Sequence, residues 1–113
     1  MVVDWAEKRA AYQRDGVVHI PGLLDPTQLA ATLRAWEWSL ANPTPRNAPA
    51  LKRHGTPLFY NDSFHPDVLD GYAEMLESSP IPAACAQLWG RDSVWFIYEQ
   101  VFLKEGGDTR RTP

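Results

Sequence analysis

SVWFIYEQVFLK, residues 93–104, is the stretch on which the fold class turns. β-Branched and aromatic residues dominate it, which favours an extended, pleated backbone. One alternating face carries Val94, Phe96, Tyr98, Gln100 and Phe102, and the other Trp95, Ile97, Glu99, Val101 and Leu103. Apolar residues on both faces predict an interior strand over 93–104 with material packed on each side. Only Glu99 and Gln100 break the pattern. A carboxylate and an amide inside a buried strand must each reach a partner or water, since an unpaired buried polar group is costly. Lys104 or Arg91 could pair with Glu99; alternatively, one face opens onto a polar cleft. A strand of this kind needs neighbours, and the other good candidate is the short run Val17–Ile20. The sheet is therefore expected to be incomplete within this chain, its partner strands coming from another chain or from residues beyond 113.

Four helices are expected upstream of that strand. Asp4 with Glu7 three residues later reads as a capping box opening the first, and Asp15-Gly16 as its stop. The second begins at Asp25, with Pro26 in the first helical position, Gln28 completing the box, and Leu24 and Leu29 placed as a hydrophobic staple. Leu29, Leu33, Trp36 and Leu40 recur four, three and four apart, which predicts a core-facing stripe ended by Asn42-Pro43. Pro43 to Pro57 contains four prolines and reads as a loop, either a functional lid or a mobile insert. A third helix is expected near Pro66 with Val68, Leu69, Tyr72, Met75 and Leu76 inward. Ser79 and Pro80 would start a fourth, with Ile81, Ala84, Cys85 and Leu88 inward and Gly90 as its C-terminal cap.

Composition narrows the function classes. The chain has 113 residues, 44% hydrophobic and 22% charged, which is one ordinary globular domain's worth and excludes low-complexity and disordered classes. Net charge of −3 argues against a nucleic-acid footprint. No apolar run is long enough to span a bilayer, and the N-terminus lacks the basic-then-apolar order of a secretion signal, so a cytoplasmic location is expected. Cys85 is the only cysteine, which excludes an internal disulfide framework and a cysteine-cluster zinc site. Five Trp and ten Pro suggest a rigid scaffold or an aromatic-lined cleft that could take a small molecule.

Few residues carry an obvious chemistry. His65-Pro66-Asp67 is formally an H-x-D, the opening of the two-histidine, one-carboxylate set that binds non-haem Fe(II). No histidine follows it, however, and Asp67 in a first helical turn would complement the helix dipole instead. His19 reads as a strand residue and His54 as a solvated loop residue. Cys85 has no basic neighbour to activate it and reads as a small core residue. Asn61-Asp62-Ser63 matches a glycosylation sequon that is idle without secretion. Nucleophile-elbow, phosphate-loop and dinucleotide motifs are all absent from the sequence.

DGVVHIPGLLD, residues 15–25, followed by the helix LAATLRAWEWSL, resembles the opening of the phytanoyl-CoA dioxygenase-like family. VWFIYEQVFLKEGGDTRRTP, residues 94–113, is similar to the family segment that leads into its H-x-D metal motif. The resemblance implies an α+β chain: a mostly helical scaffold plus the first strands of a double-stranded β-helix (a cupin-like jelly roll), the barrel being incomplete here. Residues 1–104 would be the helical and first-strand part of a dioxygenase domain, and 105–113 a polar tail leading to the metal motif. The family's hydroxylating activity on small organic substrates uses Fe(II), 2-oxoglutarate and O2. The iron ligands are not at the family's positions within this chain, and its own His65-Pro66-Asp67 lies too early. Neither Fe(II) nor 2-oxoglutarate is then expected to bind the chain by itself, which would be catalytically silent. Gln100 is the one cosubstrate-facing residue that the resemblance carries over, with Tyr98 and Phe102 on the same face. A second reading, of another class, is a stand-alone interaction domain that pairs its aromatic strand with another chain, including a second copy of itself.

Overall fold

The computed structural model describes residues 2–52 and 58–107. His54, the end of the 43–57 loop, and residues 108–113 of the polar tail lie outside the described residues. The fold is α+β: α1 (Trp5–Asp15), α2 (Pro26–Ala41), α3 (Ala48–Leu51), β1 (Phe59–Ser63), α4 (Val68–Ser78), α5 (Ile81–Trp89) and β2 (Gln100–Lys104). No described helix is long and apolar enough to cross a membrane. Two compact units emerge, one of Met1–Ala35 with Tyr72–Phe96, the other of Trp36–Gly71 with Ile97–Pro113.

The first unit rests on helix ends that the sequence encodes locally. Asp4 Oδ1 accepts the Glu7 N–H at 3.0 Å. Gly16, at φ +74°, closes α1 by donating to the Tyr12 carbonyl, a left-handed cap that glycine adopts without a Cβ clash. The box at α2 is reciprocal: Gln28 N donates to Asp25 Oδ1 at 2.8 Å, and Asp25 N to Gln28 Oε1 at 2.9 Å. Gly90 ends α5 with its N–H directed to the carbonyls of Ala86 and Gln87. Ser79 Oγ accepts the Ile81 N–H, so α5 starts at Ile81, with Pro80 just before the first helical residue. Arg9 Nε donates to the Gln87 carbonyl at 2.8 Å and fastens α1 to α5. Arg34 grips Glu74 with a two-pronged guanidinium–carboxylate pair between α2 and α4, and the Glu74 carboxyl is held below its ordinary range by it.

The buried side of α2 differs from the expected one. Ala31, Ala35 and Ser39 are buried, whereas Leu29 and Leu33 are exposed. These three small residues recur four apart along one side of α2, and that side, not the leucine stripe, faces inward. Leu69, expected in the core, is exposed as well, while Val68 and Ala84 are buried.

The second unit contains the sheet. β1 and β2 are antiparallel, with Phe59 opposite Lys104, Tyr60 opposite Leu103, Asn61 opposite Phe102, Asp62 opposite Val101 and Ser63 opposite Gln100. Beyond the ladder, Glu105 N donates to the Leu58 carbonyl at 2.8 Å. Two strand assignments from the sequence are corrected. Val17–Ile20 forms no strand, and β2 begins at Gln100 instead of Ser93. The partner of β2 is Phe59–Ser63, and a strand of five residues can pair only five; residues 93–99 have no neighbour in the described sheet. The Pro-rich segment also contains a helix, α3, of one turn.

Gly71 sits inside α4 against the indole of Trp38, and a methyl group there would overlap the six-membered ring. Helix propensity alone favours alanine over glycine by about 1 kcal/mol. Gly71→Ala is nevertheless expected to destabilise the chain by about 1–3 kcal/mol, because overpacking against a held ring outweighs that gain. A urea titration that finds the variant more stable than wild type would show that Trp38 can move aside.

Candidate functional site

Alternation along β2 sorts its side chains. Val101 is buried and Leu103 half-buried, whereas Gln100 and Phe102 project outward with Phe102 49% exposed. Opposite them on β1 stand Ser63 and Asn61. Tyr98, the third residue expected to line a cosubstrate cleft, precedes the ladder and is 45% exposed. Its ring stacks on Phe64, centroids 4.2 Å apart and planes 16° from parallel. Phe64 has φ +59°, a left-handed conformation that is unusual for a bulky residue. The outward surface thus combines an amide and three aromatic rings, one of which, Phe64, the strand pattern could not have revealed.

The inward side of the same unit holds two carboxylates. Asp62 accepts five hydrogen bonds: from Thr44 N and Thr44 Oγ1, both at 2.7 Å, Asn47 Nδ2 and the Tyr60 hydroxyl, both at 2.8 Å, and Ser63 N at 2.9 Å. Burial pushes the Asp62 carboxyl up, but the bonds from Thr44, Asn47 and Tyr60 outweigh burial and hold it well below the usual carboxylate range. Tyr60 shifts the other way, its hydroxyl pushed above the ordinary phenol range by burial and by its bond to the anion. This cluster pins the chain at Thr44 and Asn47 to β1. Asn61-Asp62-Ser63, which the sequence marks only as an idle sequon, thus lies in a strand.

Glu99 is 8% exposed. Its partner is the His65 backbone N–H, which donates to Oε1 at 2.8 Å, whereas the Lys104 ammonium lies over the Phe59 ring. His65 Nδ1 accepts the Asp67 N–H at 3.0 Å, and its ring meets Trp38 edge-on at 4.8 Å. The H-x-D tripeptide is thus a turn leading into α4, with one imidazole nitrogen committed to the backbone. His19 is exposed and outside any strand. Among the described residues no group of three or more His, Cys, Asp or Glu side chains is arranged to hold a metal ion. The described residues therefore do not fit Fe(II).

In the first unit, Leu76, Ile81, Cys85, Trp89, Val94 and Phe96 border an apolar groove of about 270 Å³. Cys85 is half-buried at its wall. The groove brings no charged side chain to its lining, so it offers packing without polar chemistry. Comparison with protein-family models, with curated proteins and with solved structures found no match to this chain.

Proposed function

We propose that this chain is the N-terminal part of a non-haem Fe(II)/2-oxoglutarate-dependent dioxygenase of the phytanoyl-CoA type, an oxidoreductase that hydroxylates a small organic substrate. On this reading the helices form the scaffold beside a jelly roll, and β2 is one of the barrel's first strands. Gln100, Tyr98 and Phe102 would line the cosubstrate pocket, and the iron triad would lie outside the residues of this chain. The observation that carries the reading is the uncovered outward face of β2. An amide flanked by aromatic rings and left open to solvent is what a strand looks like before the rest of a barrel closes over it. The resemblance of residues 15–25 and 94–113 to the family supplies the chemistry.

Reading the gene past the Pro113 codon tests this directly. A frame that runs into an H-x-D within a few codons supports it; a stop codon or an unrelated sequence sinks it. With the purified chain, no saturable, 2-oxoglutarate-dependent Fe(II) binding is expected in a calorimetric titration. Stoichiometric binding would overturn the assignment of the triad to residues elsewhere.

A second reading rests on a separate observation. Trp95 is 89% and Ile97 81% exposed, within the segment 93–99 that has no strand partner among the described residues. Such a segment suits pairing with another chain, a second copy included. A monomeric mass in light scattering at high micromolar concentration would count against self-pairing.

A further inference from the structure

Within the second unit is a small cavity of about 10 Å³ bordered by Ser39, Asn42, Asp62, His65, Glu99 and Val101. Glu99 is more than nine-tenths buried, and its Oε2 has no hydrogen-bond partner among the described residues. Natural proteins rarely leave such an atom without a donor, because the lost hydration is not replaced. Space of about 10–15 Å³ by this measure takes one water, and a buried water settles where two to four polar groups surround it. Asp62 is an unsuitable donor, since its oxygens already receive five hydrogen bonds. Among the described residues no lysine or arginine borders the cavity.

We propose that one buried water occupies this cavity and donates to Glu99 Oε2, with Ser39 and Asn42 supplying its further partners. Glu99 then bridges two elements. Oε1 holds the His65 N–H directly after the left-handed residue Phe64, and Oε2 holds the water. The water and Glu99 together are the positioning device for the turn that presents Phe64 to Tyr98. A carboxylate whose second oxygen is saturated stays in one rotamer and keeps the His65 N–H captured.

Water–protein cross-peaks in NMR spectra of the whole chain test the proposal. Wild type is expected to give cross-peaks of the sign of a long-lived water to protons lining the cavity. Glu99→Gln keeps an acceptor for His65 and a polar group toward the water, so the cross-peaks persist. Glu99→Met removes both; the cross-peaks vanish and hydrogen exchange at the His65 amide rises by about tenfold or more. Two results overturn the proposal: no long-lived water in wild type, or cross-peaks that survive in Glu99→Met. A melting temperature that climbs with potassium or ammonium at constant ionic strength also overturns it, by identifying a cation in the water's place.

Discussion

Asp62→Ala is expected to lower the stability of the chain by about 3–5 kcal/mol, because a hydrogen bond to a charged acceptor contributes about 1.5–3 kcal/mol and several are lost together. Five donors lose their acceptor at once, and the Thr44 and Ser63 backbone N–H groups among them cannot turn away toward solvent without moving the chain. Urea unfolding followed by tryptophan fluorescence measures the loss. Asp62→Asn is expected to fall between, since an amide keeps one acceptor oxygen and presents two hydrogens to groups that are themselves donors. The pH dependence has a definite sign. The Asp62 pKa is lower in the folded chain than in the unfolded one, so its stabilisation is present in full above the unfolded value. It drains away as pH falls below about 4. Asp62→Asn should flatten that acid limb. An Asp62→Ala variant within about 1 kcal/mol of wild type would mean that the five bonds do not hold the unit together.

Tyr60 carries the second large effect. It is the largest fully buried side chain described, so Tyr60→Ala is expected to cost about 3–5 kcal/mol through lost burial and the cavity left behind. Tyr60→Phe isolates the hydroxyl, with an expected cost of about 1–2 kcal/mol for its bond to an anionic acceptor. Because the folded-state pKa of Tyr60 is raised, this stabilisation is complete below the ordinary phenol pKa of about 10 and is lost as pH rises above it. Wild type should therefore weaken at strongly alkaline pH more than Tyr60→Phe does. Equal alkaline limbs for the two proteins would remove the hydroxyl from the account.

What was legible in the sequence was what nearby residues settle among themselves. Asp25 and Gln28 cap each other across three residues, and Gly16 and Gly90 end helices in a conformation that glycine takes freely. Strand alternation put Gln100 and Phe102 on one face, and Glu99 and Val101 on the other, as found. The strand β1 was not legible. Its residues Asn61, Asp62 and Ser63 favour turns, and they are held extended by pairing with β2 and by Thr44 and Asn47, distant in the chain, which satisfy Asp62. Val17–Ile20 failed in the opposite way: a run with three β-branched residues in four stays outside any strand because no ladder among the described residues reaches it.

The caps of α1 and α2, the C-terminal glycine of α5 and the two faces of β2 were thus determined by the sequence itself, because a few residues set each of them through short-range bonds and backbone preference. Which face of α2 is buried, which segment pairs with β2, and which carboxylate collects five donors while the other takes the His65 N–H were decided only in the tertiary structure. Those outcomes depend on donors and surfaces contributed from far along the chain, and local pattern carries no information about which distant group will arrive.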